Sequence, residues 1–289
     1  MKEKFREPKR YFKRTRRLMQ EIDTAVAEHY PPTPITVRQL FYVLEGRGVV
    51  KKTEKAFDRV ERTVDEMLYT GVLDWDAIID PGRATEKHIE FADVRDGLTS
   101  LANDYRTDWW GEQSQGVEVW SEKDAIAELL RPVADKWHVR TLVNRGCVSD
   151  TAMKDAADRM NELGKPTFIL YVGDHNPSGM HMMDTMLEKL ETFGAKTFDL
   201  VHIALTQKQI EQYSLRPSRV KISADPRAKK YVSQHGRGCW EVDALDPTVL
   251  VQIVAEAIAA YIDNPDAFKR HQERDRQNAE RLREIAAKL

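Results

Sequence analysis

The chain has 289 residues, 41% hydrophobic and 32% charged, with a formal net charge of −2. That length suffices for two modest domains, and the near-neutral balance excludes a uniformly basic nucleic-acid coat, so affinity for a polyanion has to come from local patches. Two cysteines, Cys147 and Cys239, without a Cys-x-x-Cys pair exclude a zinc ribbon, and the lack of an apolar run near the roughly 20 residues that cross a bilayer, or of a secretory signal, leads us to expect a cytoplasmic protein with no membrane partner.

Residues 2–17 carry Lys2, Lys4, Arg6, Lys9, Arg10, Lys13, Arg14, Arg16 and Arg17 against Glu3 and Glu7. This basic arm reads equally as a solvated segment or as a phosphate contact. A first helix is predicted over about 10–29, punctuated by Pro31, Pro32 and Pro34. Thr36 can cap a short helix from Val37 to about Leu44, closed by Gly46 and Gly48. Phe57, Val60, Val64, Met67 and Leu68 at helical spacing predict a longer helix over about Thr53–Tyr69, ended by Gly71. Val72–Asp80 then has the character of a strand or wing. Helix, turn, helix and extended segment within 34–83 read as a winged helix-turn-helix DNA-binding domain, preceded by a basic helical arm over 1–33. Residues 84–115 read as a helical connector with Trp109 and Trp110 near its end.

From 116 to 263 the pattern changes to strands alternating with helices. Strands are predicted at Val117–Trp120, Arg140–Val143, Thr167–Val172 and Leu200–Leu205, and a late one around Cys239–Val242. Helices fall at Lys123–Ala134, Ser149–Leu163, Ser178–Thr192, Gln207–Tyr213 and from Pro247 to about Tyr261. Such alternation implies an α/β, Rossmann-like domain with a parallel sheet covered on both faces. Residues 264–289 read as a charged, solvated C-terminal helix.

Ligands of open α/β sheets gather at the carboxyl ends of strands. The first of these strands ends in Ser121-Glu122-Lys123-Asp124, the central one in Gly173-Asp174-His175-Asn176-Pro177-Ser178-Gly179. If the two strands are neighbours, Glu122 and Asp174 meet, and Mg²⁺ needs little more than one or two carboxylates with waters and phosphates. Either acidic end taken alone is better read as a helix cap or a surface ion pair. His175, His181 and His202 have no ligand spacing, and Met180, Met182, Met183 and Met186 read as helix packing. The basic loop of Arg227, Lys229, Lys230, His235 and Arg237 reads equally as solvated or DNA-contacting.

Glu-Lys-Asp after a first strand and Gly-Asp-x-x-Pro-x-Gly after a central one resemble the Toprim domain. The resemblance is to the topoisomerase VI A subunit family and its relatives, including the meiotic double-strand-break proteins, in a short "mini-A" form, and it spans roughly 34–263. Asn144–Ser149 and Trp240–Leu245 are similar to that family's intermediate and closing segments. The family usually has Asp-x-Asp where this chain has Asp174-His175-Asn176, so the resemblance implies Glu122, Asp174 and Asn176 as Mg²⁺ ligands, with a second metal site in doubt. Arg38-Gln39-Leu40-Phe41-Tyr42 is similar to the family's nucleophile motif and gives Tyr42 that place, with Arg38 beside it.

Helical geometry bears on Tyr42 independently. At about 100° per residue, Val37, Leu40, Phe41 and Leu44 share an apolar face and Tyr42 lies roughly opposite, near Arg38. The resemblance implies duplex DNA as partner, Lys51, Lys52, Arg59, Lys123 and Arg145 as DNA-contacting cations, a homodimer, and room for a separate ATPase subunit. The expected activity is Mg²⁺-dependent DNA cleavage through a 5′-phosphotyrosyl link at Tyr42. Two alternatives stay open: a Toprim-type nuclease in which water replaces the tyrosine, and a catalytically degenerate DNA-binding protein, motivated by Asn176.

Overall fold

The computed structural model describes residues 4–5, 7–31, 33–79, 90–144, 148–219 and 228–289. The chain is a mixed α/β protein with a four-stranded parallel sheet.

Helix α1 (Lys13–Ala27) opens the described helices. A two-residue strand, β1 (Ile35–Thr36), leads into α2 (Val37–Gly46), which Thr36 caps through its side chain while Gln39 returns a bond to the Thr36 amide. Thr53 likewise caps α3 (Glu54–Tyr69). Leu18 and Ile22 of α1, Leu40 and Leu44 of α2, and Val60, Val64 and Met67 of α3 form one buried cluster. The segment expected as a strand or wing instead makes a 3₁₀ turn at Trp75–Ala77 and a two-residue strand, β2 (Ile78–Ile79), paired in parallel with β1. Asp74 turns the chain by accepting the Asp76 amide, and Ala77 is drawn into the core. No hairpin wing occurs among the described residues.

Helix α4 (Val94–Asp104) is the described helix of the connector. The sheet follows: β3 (Gly116–Ser121), α5 (Asp124–Lys136), β4 (Arg140–Val143), α6 (Asp150–Leu163), β5 (Thr167–Val172), α7 (Pro177–Thr192) and β6 (Phe198–Ala204). Its strand order is β4-β3-β5-β6, all parallel. Alternate strand residues serve opposite faces. Val117, Val119, Leu170 and Val172 pack with Ile126, Leu129 and Leu130 of α5, whereas Trp120, Ile169 and Tyr171 pack with Met153 and Met160 of α6 and Met182 and Met186 of α7. The chain leaves β3 toward β4 and then crosses back to β5, so the order reverses between β3 and β5 and opens a crevice at their carboxyl ends.

Helix α8 (Gln207–Gln212) follows, and β7 (Ser218–Arg219) pairs antiparallel with β8 (Gly238–Cys239) after α9 (Ala228–His235). The late strand therefore does not join the main sheet. Its continuation makes one antiparallel bridge, Trp240 to His175, because the next amides turn into a 3₁₀ segment, Val242–Ala244. Helix α10 (Pro247–Ala259) adds Leu250, Val254 and Ile258 to the α5 side of the sheet.

The charged helix α11 (Pro265–Ala286) is not solvated all round. It packs against α4 and buries Ala267, Phe268, Asp275, Ala279 and Ala286. Asp275 accepts bonds from the Thr107 amide and hydroxyl and from Trp109 Nε1 at 2.6–3.0 Å, so its burial is fully compensated. Among the described residues no helix is long and apolar enough to cross a membrane.

Candidate functional site

The register of the sheet aligns Ser121 with Val172, so the residues that follow, Glu122 and Gly173-Asp174, emerge side by side at the reversal point. Glu122 Oε2 accepts the Asp174 backbone N–H at 3.1 Å. Asp174 is held in place by a tight turn into α7. A Cβ on Gly179 would stand 2.2 Å from the Asp174 carbonyl oxygen, so only glycine permits the approach.

Asn176 has a different task from the metal ligand implied by the resemblance. Its Oδ1 accepts the Gly179 amide at 2.8 Å as the cap of α7, and its Nδ2 donates to Asp174 Oδ2 at 3.0 Å. The amide thus presents a hydrogen rather than a lone pair to Asp174.

The cation at the centre is Lys123. Its Nζ donates to Asp174 Oδ1 and Asp243 Oδ2, both at 2.7 Å, and lies 3.4 Å from Glu241 Oε2. Asp243 has a fully buried side chain whose Oδ1 has no hydrogen-bond partner. Burial opposes the Lys123 charge, but Asp243 and Asp174 outweigh it and hold the ammonium above its ordinary pKa. Burial pushes Asp174 up to about 6, with Glu122 pushing the same way against the pull of Lys123. Lys123, expected among DNA-contacting cations, is instead engaged by three carboxylates.

Glu241 joins this cluster to the helical unit. It accepts from Arg38 Nη2 at 2.9 Å, and its charge is felt at Tyr42. Helix α2 packs on the 3₁₀ segment Val242–Ala244, which explains why Tyr42 is not on an open face. It is 8% exposed. Helical periodicity finds the face of α2 turned to its own unit, and the opposite face is covered by the sheet domain. Burial, then the Glu241 charge, raises the Tyr42 pKa, against the opposing effect of Arg38. Tyr42 still lines a pocket of about 260 Å³ with Arg38, Phe41, Lys52 and Phe57, and Lys52 Nζ sits 4.7 Å from its ring centroid.

A second surface lies on the helical unit. Arg14 and Arg17 of α1, Lys51, and Lys55 and Arg59 of α3 line a cleft of about 650 Å³ with no acidic side chain among its lining. Burial and the neighbouring Arg14 lower the Arg59 pKa, as expected for cations gathered without counter-charge. Lys51 and Arg59 thus share one surface, Lys52 belongs to the Tyr42 pocket, and Arg145 lies outside the described residues.

Sequence reasoning missed Glu241 and Asp243 as site residues. They lie in the segment expected as a late strand and closing turn, and their acidity two residues apart is the signal that could have found them. No family model matches the chain, and no curated protein matches it.

Among the described residues no group of three or more His, Cys, Asp or Glu is arranged to hold a metal ion. A hydrated Mg²⁺ asks for less. The Glu122–Asp174 pair, with its mutual repulsion felt at Asp174, fits a two-carboxylate site completed by water and phosphate.

Proposed function

We propose that the chain binds duplex DNA and breaks its phosphodiester backbone by transesterification at Tyr42, as a relative of the topoisomerase VI A subunits with a winged-helix and a Toprim domain. The observation that carries this reading is a convergence. Lys123, bonded to Asp174 of the paired carboxylates, and Arg38 of the α2 face that carries Tyr42 meet at Glu241, which neither a purely structural sheet nor a purely structural helix requires.

In this reading the cleft of Arg14, Arg17, Lys51, Lys55 and Arg59 holds the DNA backbone by charge. Arg38 lets go of Glu241 to clasp the target phosphate, and Lys52 adds a second cation beside Tyr42. Glu122 and Asp174 would hold Mg²⁺, and the metal would supply positive charge to offset that developing on the phosphate. Asn176 keeps Asp174 oriented by donating to it. Tyr42 takes the 5′ phosphate, and the reverse step reseals the strand. One tyrosine opens one strand, so a duplex break calls for a second copy of the chain.

One observation favours the hydrolytic alternative: Tyr42 is nearly buried with its phenol proton held tightly. Water would then be the nucleophile. The deciding experiment incubates protein with supercoiled plasmid and Mg²⁺ or Mn²⁺ and quenches in SDS. Covalent adducts on wild type and none on Tyr42→Phe support transesterification. Breaks without adducts, unchanged in Tyr42→Phe, support hydrolysis, and no breaks with any divalent metal support a binding protein.

A further inference from the structure

Helix α4 is held by little of its own chain. Of its 11 residues only Ala102 is buried, and a helix that short is marginal in water without packing. Its apolar side chains stand out instead. Phe91, lying against Gly97, is 50% exposed, Val94 70% and Leu101 50%, and Ile285 of α11 is 51% exposed. These side chains share one face. Asp275 accepts from Thr107, and Asn103 accepts from Arg283, so α4 and α11 run antiparallel and Leu101 is level with Ile285. Leu101 immediately precedes the buried Ala102, as Ile285 precedes the buried Ala286. One residue is about 100° of turn, and equal turns in antiparallel helices bring side chains out on the same side. Apolar side chains scattered singly are ordinary, but grouped on one face they mark an interaction surface.

The charges beside this face say what covers it. Asp93 and Asp104 border the apolar row on α4, while Arg95 lies in line with Ala102 and off the face. Arg274, Arg281 and Lys288, one heptad apart, border it on α11, with Glu284 further round the helix. Among the described residues Asp104, Arg281 and Lys288 enter no ion pair. We propose that this face pairs two copies of the chain about a two-fold axis parallel to α4 and α11. That rotation lays the α4 of each copy on the α11 of the other, so the apolar rows close together and each acidic border meets a basic one. A two-fold across the helices would set α4 on α4 and acid on acid. An acidic edge, an apolar centre and a basic edge are complementary to themselves, as an isologous contact requires and a partner of other sequence does not. This face holds none of the groups assigned to cleavage, so its pairing is independent of how Tyr42 acts.

Sedimentation velocity on the full chain, without DNA, tests the pairing. Wild type is expected to sediment as a dimer. Val94→Glu combined with Leu101→Glu should raise the dissociation constant roughly 30-fold or more, as loss of central interface residues does, with circular dichroism checking that the single copy stays folded. The charge variants carry the test should that protein unfold. Asp104→Lys alone, and Arg281→Glu combined with Lys288→Glu alone, should each associate more weakly than wild type. Mixing these two variants should restore a dimer, because acidic and basic borders then match across the copies. A monomeric wild type, a dimer as tight in the Val94→Glu, Leu101→Glu protein as in wild type, or charge variants that fail to associate when mixed would each overturn the assignment.

Discussion

Replacing Lys123 by Met removes the ammonium at the centre of the acidic cluster and keeps most of the aliphatic stem. Two carboxylate oxygens lie 2.7 Å from Nζ, and their side chains are 6% and 0% exposed at Asp174 and Asp243. At an effective dielectric constant of about 20, each contact represents roughly 6 kcal/mol of gross attraction. Much of that is offset by the cost of taking the ammonium out of water, and removal of one partner of a buried pair typically costs about 3–5 kcal/mol. Lys123 keeps 23% of its side chain in solvent, which places the expectation at the lower end, about 3 kcal/mol. Asp243 suffers most, since Oδ1 already lacks a partner and Oδ2 would lose its own.

Urea unfolding followed by circular dichroism measures the loss. In a thermal scan it corresponds to a fall of roughly 6–12 °C. Asp243→Asn made in the Lys123→Met background should return part of the loss, giving a coupling of about 1–3 kcal/mol between the two positions. A Lys123→Met protein within about 1 kcal/mol of wild type, uncoupled to Asp243→Asn, would refute the assignment of Lys123 as the cluster's counter-cation.

Three further outcomes are expected. His29 is buried and bonds Asp246 Oδ2 at 2.8 Å, tying α1 to the start of α10, and that bond raises its pKa. The stabilisation is complete below about pH 6.5 and is lost as pH rises through the raised value, so His29→Gln should cost about 2 kcal/mol at pH 6 and visibly less at pH 9 in paired urea titrations. Gly179→Ala drives a Cβ against the Asp174 carbonyl; it should abolish plasmid cleavage while leaving plasmid retention by the basic cleft intact. Alanine at Arg14, Lys51 and Arg59 together should flatten the salt dependence of duplex binding, lowering the slope of log K against log salt by roughly 2–3, and an unchanged slope would remove the cleft from the DNA track.

Much of the sheet was legible because its residues speak locally. Ser149, Thr36 and Thr53 each cap the helix that follows, and Gly164, left-handed at φ 67°, closes α6. The apolar run Thr167–Val172 could only be a buried strand. The meeting of Glu122 with Asp174 was conditional on the two strands being neighbours, and the sheet order places β3 beside β5. What local signals miss is contact across distance. Tyr42 read as outward-facing because its covering residues, Glu241 and the Val242–Ala244 turn, lie some two hundred residues on. Helix α11 read as solvated because its charges dominate, although Phe268, Asp275, Ala279 and Ala286 recur along one stripe that covers α4. Lys123 looked like a DNA contact because its sequence neighbours reveal only Glu122 and Asp124, and two of its three carboxylate partners arrive through an irregular turn.

The most direct measurement is to digest the SDS-trapped complex with nuclease and protease and fragment the nucleotide-bearing peptide in a mass spectrometer. A site built from Tyr42, Glu122 and Asp174 predicts a 5′-linked nucleotide on the Tyr42 phenol, formed only with divalent metal and lost in Glu122→Gln and Asp174→Asn. A nucleotide on another residue, or an adduct on Tyr42 that forms in both carboxylate variants, would contradict it.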